Sequence, residues 1–570
     1  MNRRSFLRNT GIAAGAATLI PTVLTERSAG KPITSGVLGS QKGNRSPLSS
    51  TLDPWVPASG QWDVTHINHL YRRAGFGATM AEITAAALLT PGQAVDALLD
   101  NSLTTGSNLP QLPANSDQWL QKTPYLGSDY TQQVAQQTFY ANAMMSIRTW
   151  WTKLMADSKT MMRERMVLYW ANHFVVEESK VYYPQMMYNY LDYFRRNPWG
   201  NFKQMVKDVT VMPAMLVYLD GQYNVAVAPN ENYARELMEL FTLGILDQTG
   251  NPNYTQEDVE AMAKALTGWS INTPASPPNV LPAQFNVNNH DSTFKAIFTT
   301  TKQNFGLAAS GDPSTVDVID WLFNQRGTDI AYFICSGLYQ AFVYHDTSSA
   351  DAQAIITGMA QTFQNGNWEL KPVLQQLLKS QHFFDSANIG AAIKAPYDYM
   401  VGMLRSFNIT IDETNAGTLY YYGYYDGDQQ LLDPPNVKGW PGYHTWISTT
   451  TLPARNDTFA GPLINNSTGI GGIGANGFTG VTNGGFLMAD AQVTAWAKQF
   501  PNYSGQYDAF LNDVATFMCP FVPDKTVLDN RIRSKFSNYY EWPSLSDSDK
   551  LSPIRIIMYQ MMLLANYQLM

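Results

Sequence analysis

The sequence predicts an all-α, predominantly helical protein, and three observations carry that prediction. Segments at about 129–157, 159–180, 182–196, 231–243, 328–345, 350–364 and 553–568 repeat apolar residues at helical spacing. Helix-start devices recur between them. Sustained apolar/polar alternation, the mark of half-buried strands, is scarce.

In chain order, residues 27–60 are rich in Ser, Gly, Pro and Thr without apolar periodicity and read as a linker. Thr79-x-x-Glu82 is a capping box ahead of an Ala/Leu-rich run. Thr90-Pro91, Asp312-Pro313 and Ser552-Pro553 each place an N-cap before a proline suited to the first helical position. Thr255-x-x-Asp258 starts another helix, expected to end at Gly268. Polar excursions fall near 272–312 and 408–486, and the Gly-rich stretch 461–486 reads as an irregular loop. No repeat at a fixed period argues for a solenoid. The expected layout is one large helical domain over 61–570.

Composition narrows the function classes. Hydrophobic residues make up 45% of the 570, enough for a sizeable core, while charged residues are only 15%. The formal net charge of −8 leaves no basic footprint for nucleic acid. The two cysteines, Cys335 and Cys519, form no Cys-x-x-Cys pair, and buried thiols are favoured over a disulfide.

The N-terminus carries an address. Arg3-Arg4-Ser5-Phe6-Leu7-Arg8 precedes a mildly apolar stretch from Thr10 to Leu24. It resembles a twin-arginine (Tat) signal peptide, here 1–26, with Arg8 in the place of the usual Lys. That resemblance implies a folded protein passed to the Tat export machinery, and a periplasmic, cell-surface or extracellular destination. The apolar stretch is too short to span a bilayer comfortably, and the mature chain is expected to have no transmembrane helix.

Several phrases recur in order along the chain: His69-Leu70-Tyr71-Arg72-Arg73-Ala74-Gly75-Phe76-Gly77, Trp170-Ala171-Asn172-His173-Phe174, Asn230-Glu231-Asn232-Tyr233-Ala234-Arg235-Glu236, Leu266-Thr267-Gly268-Trp269 and Pro435-Asn436-Val437-Lys438-Gly439-Trp440. Together they resemble the exported bacterial family called domain of unknown function 1800, over about 61–568. The resemblance implies no established activity. Its His290-Asp291 and Lys295 fit the family pattern, whereas Ala296 to Gln303 departs from it.

Candidate chemistry concentrates in these phrases. On a regular helix Asn232, Glu236 and Glu239 share a face, and Glu231, Arg235 and Glu239 form an ion-pair row. His173 and Glu177 fall one helical turn apart, as paired metal ligands do. The competing reading of His173, between Trp170 and Phe174, is a satisfied core histidine. His290 with Asp291 suits a cation or an oriented imidazole. Arg72, beside His69, Arg73 and the Gly75-x-Gly77 turn, suggests an anion-binding turn. Lys438 and Trp440, with Arg455 nearby, suggest a cleft wall, and Tyr420, Tyr421, Tyr422, Tyr424 and Tyr425 suit stacking on sugars.

Two functions of different class follow. One is a metal-assisted hydrolase: His173, Glu236, Glu239, His290 and Asp291 hold a divalent metal ion or act as base, Arg235 and Lys438 grip an anionic group, and Asn232, Arg72, Trp440 and Arg455 bind ligand. The other is a non-catalytic envelope or surface protein, with a glycan-binding role open to it. No Gly-x-Ser-x-Gly elbow, His-Glu-x-x-His pair or P-loop is present, and the stretch from Asp247 to Asp258 fails as an EF-hand because Gly250 stands at the fourth position.

Overall fold

A computed structural model describes residues 49–100, 110–122, 124–125, 127–271, 281–299, 317–410, 427–456, 488–536 and 539–570. The proposed signal peptide, most of the linker, Asp312-Pro313, the tyrosines at 420–425 and the Gly-rich loop lie outside these residues.

The longer elements, in order, are α1 (Val64–Ala74), α2 (Met80–Ala86), α3 (Pro91–Leu98), α4 (Tyr130–Ala156), α5 (Met161–His173), α6 (Pro184–Arg196), α7 (Phe202–Thr210), α8 (Pro213–Tyr218), α9 (Glu231–Glu236), α10 (Gln256–Ala265), α11 (Asp317–Phe342), α12 (Ala350–Asn365), α13 (Leu370–Lys379), α14 (Pro396–Ser406), α15 (Asp490–Ala497), α16 (Tyr507–Met518) and α17 (Asp547–Met562). One two-stranded antiparallel ribbon joins them, β1 (Trp269–Ile271) with β2 (Ala283–Phe285), in the register Trp269↔Phe285. The protein is all-α in character, as its periodicity predicts.

Local chemistry explains the starts. Thr79, Thr90 and Thr255 each close a reciprocal capping box with the residue three positions on. Pro91, Pro184, Pro213 and Pro396 stand at helix starts, where a missing N–H costs nothing. One expected start fails. Ser546 caps α17 by accepting from the Asp549 amide at 3.2 Å, so Pro553 lies inside the helix rather than opening it. A second difference is at α10, which ends at Ala265, three residues before Gly268, the residue that turns left-handed at φ +101°.

Helix pairs pack side by side around one continuous core: α11 on α12, α12 on α13, α5 on α6, α4 on α5, α9 on α10, and α1 on α16. The core is studded with aromatics such as Trp151, Trp170 and Trp542, all nearly sealed from solvent. Cys335 and Cys519 are buried free thiols. Buried charges include close ion pairs. Arg195 grips Glu164 through two bonds of 2.6 and 2.7 Å, with neither side chain reaching solvent. Arg405 does the same for Glu82 at 2.6 and 2.7 Å. Among the described residues no helix is long and apolar enough to cross a membrane.

Candidate functional site

The site is assembled at the C-terminal end of α5. The expected helix over 159–180 breaks there: α5 ends at His173, Phe174 leaves helical geometry at φ −97°, ψ 62°, and a short helix restarts only at Glu178. Glu177 is therefore not stacked one turn above His173. Asn172 and His173 instead reach in two directions and hold two other motif segments.

Asn172 clamps the proline-bearing loop. Its Oδ1 accepts from the Trp440 amide at 2.7 Å, and its Nδ2 donates to the Trp440 carbonyl at 3.4 Å. Gly439 lies between, at φ +76°, where an added Cβ would stand 2.2 Å from Asn172 Oδ1. Only glycine fits that approach. Asn436 Oδ1 accepts from the Lys438 amide at 2.8 Å and shapes the turn that projects Lys438. Trp440 itself is buried and packs, rather than lining an open cleft.

His173 supports the acidic helix. After α9 the backbone widens into a π-helix, Leu237–Thr242. His173 Nε2 lies 3.0 Å from the Phe241 carbonyl oxygen, inside the last turn of that segment. Phe174, Phe202, Trp170 and Phe241 surround the ring. Burial lowers its pKa to about 4, so it is neutral and carries its proton on Nε2, donating to Phe241.

The π-helix also changes the face geometry expected of a regular helix. Asn232 is exposed and donates to the Leu219 carbonyl at 3.3 Å. Arg235 pairs with Glu231 at 3.0 Å and donates to Gln256 at 2.9 Å, completing only the first half of the expected row. Glu239 turns instead toward Lys438, 3.5 Å away, and accepts from the Tyr254 hydroxyl at 3.3 Å. Glu236 is half-buried beside it. Burial, and then the charge of Glu239, raise the Glu236 pKa, while Lys438 and Arg235 oppose the rise. Tyr218 lies on the other side: burial, with Glu177, Glu236 and Asp433 around it, pushes its hydroxyl up to about 12.

A cluster thus forms from α8, α9, the π-helix, the segment ahead of α10 and the 433–440 loop: Glu236, Glu239, Lys438, Tyr218 and Tyr254, with Glu177 and Asp433 at its edge. Residues from 199 positions apart meet in the Lys438–Glu239 pair. Glu236, Glu239, Lys438 and Arg235 were legible as candidates. Tyr218 and Tyr254 carried no signal, because a lone tyrosine in an aromatic-rich chain looks like packing.

The other candidates fall elsewhere. His290 is buried, with Nδ1 2.9 Å from the Thr267 carbonyl oxygen, and the Asp291 amide donates to Thr267 Oγ1 at 2.7 Å. This segment straps the chain onto the Thr267–Gly268 turn. Asp291 stays below the usual carboxylate range: burial raises it, and bonds from Thr293 and the Lys295 ammonium outweigh that. Among the described residues no three His, Cys, Asp or Glu side chains stand close enough to hold a metal ion. The expected ligands His173, Glu236, Glu239, His290 and Asp291 are therefore not brought together as one set. Arg72 and Arg455 are buried on structural carbonyls, Phe517 at 2.7 Å and Lys394 at 2.8 Å respectively. The Gly75-x-Gly77 turn does not nest an anion, because both glycine amides donate to the Tyr71 carbonyl at 3.0 Å.

Residues 69–526 match the profile of a family described as a protein of unknown function, DUF1800. The chain belongs to that family. No curated protein and no solved structure matches it. The DUF1800 match takes in α5, the acidic helix, the Thr267–Gly268 turn and the 433–440 loop, so the whole cluster lies inside the family region.

Proposed function

We propose that this DUF1800 protein is an exported hydrolase working by acid–base catalysis at Glu236 and Glu239. The observation that carries the reading is the contrast between two neighbouring carboxylates. Glu236 is held towards its protonated form by burial and by Glu239, and Glu239 is held by a lysine and a tyrosine hydroxyl. A carboxyl group held towards its protonated form can serve as a general acid, and a carboxylate beside it as the base. Glu236 donates a proton to the leaving group. Glu239 takes one from the attacking water, so water adds across the scissile bond. Lys438, exposed on its turn, orients an anionic group of the substrate. The two arginines at the N-terminus support delivery through the Tat machinery to the periplasm, the cell surface or the medium.

The test is turnover by the purified exported protein across chromogenic glycosides, esters and phosphodiesters, and across purified cell-wall polysaccharide. The reading expects one class to be hydrolysed and Glu236→Gln to lose about 10²–10⁴-fold in rate. Absence of turnover in every class, or turnover untouched by Glu236→Gln, contradicts it.

A second reading, a non-catalytic envelope scaffold, is favoured by one observation. Arg235 is already satisfied by Glu231 and Gln256, as a registry network requires. A glycan-binding role belongs to this reading. Binding of cell-wall polysaccharide without turnover, retained in Glu236→Gln, is what it expects.

A further inference from the structure

The buried surface between α1 and α14 shares no residue with the acidic cluster and carries an excess of positive charge that the proposed hydrolase does not use. A cavity of about 10 Å³ is lined by Arg72, Phe76, Gly77, Lys394, Asp398 and Ser406, among others. Arg72 is 7% exposed and Lys394 4%. Arg72 donates one bond, from Nη2 to the Phe517 carbonyl at 2.7 Å, while its Nη1 is sealed from solvent without an acceptor. The Lys394 ammonium sits 3.6 Å from the centre of the Tyr567 ring. Arg455 donates to the Lys394 carbonyl at 2.8 Å and leaves its Nε without an acceptor. Arg73, on the same helix as Arg72, is 1% exposed, with Nε and Nη1 likewise lacking acceptors.

The carboxylate in the wall, Asp398, faces these cations; its charge favours the charged forms of Arg73, Lys394 and Arg455, but its hydrogen bonds go to other groups. Asp398 pairs through Oδ1 with Arg165, and its Oδ2 accepts from the Ala395 amide at 2.9 Å. Both of its oxygens are occupied by neighbours other than Arg72 and Lys394. Buried cations without a counter-charge are costly, and a bound anion removes the cost. Burial and the charge of Arg72 accordingly drive Lys394 well below its ordinary pKa as the site stands. The volume decides the size of the anion. With about 10 Å³ of room, a monatomic halide is the common anion that enters with the least displacement of the lining side chains.

We propose that this cavity is a structural halide site, in which chloride is held by Arg72 Nη1 and the Lys394 ammonium. The chloride closes the charge balance between α1, the segment ahead of α14 and the C-terminal residues. It acts on stability and not on the acidic cluster.

The experiment uses the full chain. Melting is followed in sodium chloride and in sodium gluconate at equal ionic strength, with Lys394→Met alongside, and crystals are soaked in bromide for anomalous scattering. The proposal expects a melting temperature that rises by about 1 °C for each tenfold increase in chloride once the site fills. It expects no such dependence in Lys394→Met, and a bromide peak within hydrogen-bond reach of Arg72 and Lys394. Removing a buried cation lacking a counter-charge should leave that variant folded; if it fails to fold, the bromide map of the unaltered protein decides. Identical melting in both salts, an unchanged chloride dependence in Lys394→Met, a water in the cavity, or bromide at surface positions only would each overturn the proposal.

Discussion

Neutral His173 is the hinge of the site's construction, and its removal has a measurable consequence. The ring gives one proton to the Phe241 carbonyl at 3.0 Å and is otherwise walled by aromatic rings. Its pKa falls from the ordinary 6.5 to about 4. Between those values the unfolded chain binds a proton that the native protein does not. Stability is therefore complete above about pH 6.5 and declines as pH falls towards 4. Each pKa unit is worth about 1.4 kcal/mol, so the full acid loss from this residue is on the order of 3–4 kcal/mol. Two variants separate the charge from the hydrogen bond. His173→Gln keeps an N–H donor and abolishes the titration; His173→Leu abolishes both. Urea unfolding at several pH values between 4 and 8 reads the difference. At pH 8 His173→Leu should lose about 1–3 kcal/mol relative to His173→Gln, because the Phe241 carbonyl is left without its donor. Both variants should show a shallower acid decline than the unaltered protein. Equal stability of the two variants at pH 8, or an acid decline unchanged in both, would refute the reasoning.

Three further outcomes are expected. Gly439→Ala should destabilise the protein by about 1–3 kcal/mol and detach the Lys438 turn, since its Cβ would stand 2.2 Å from Asn172 Oδ1 at a backbone angle of +76°; urea unfolding and protease nicking near residue 438 check it. Arg195→Met should cost about 3–5 kcal/mol by stranding the sealed Glu164 carboxylate, and adding Glu164→Leu should recover a large part of the loss, as a double-mutant cycle will show. Glu236→Gln should stabilise the protein at neutral pH. The raised native pKa means that the native protein binds the proton more tightly, so this residue's contribution is present below the ordinary carboxylate pKa and is lost as pH rises through the raised one; melting at pH 4 and pH 8 should show the variant's advantage only at the higher value.

The sequence was most legible where local rules act alone. Thr79, Thr90 and Thr255 could be read as caps because the reciprocal bonds lie within four residues. Pro553 misled because Ser-Pro is a helix-start signature, yet Ser546 caps the helix six residues before Ser552 and leaves Pro553 inside it. The helix break after His173 is tertiary in origin: the Glu178 amide donates to the Leu432 carbonyl at 2.9 Å, which draws the chain away from α5. The carboxylates of the acidic helix stood out by type and spacing. Their partners did not, since a π-helix shifts the periodicity that face arguments assume. His173 and His290 show why residue type alone misleads: each imidazole meets the backbone carbonyl of another segment, Phe241 and Thr267 respectively, and the two do not come together. Arg72 and Arg455 were singled out for opposite ends of the chain, and only the packed core brings both to the neighbourhood of Lys394.

The central claim is that burial and the charge of Glu239 hold Glu236 above the ordinary glutamate range, with Lys438 opposing them. Carboxyl NMR of protein labelled at glutamate side chains, with Glu236 assigned through Glu236→Gln, measures it directly. The account predicts that Glu236 titrates above the ordinary glutamate range, moves down in Glu239→Gln and moves further up in Lys438→Met. A Glu236 that titrates in the ordinary range and ignores both substitutions would contradict it.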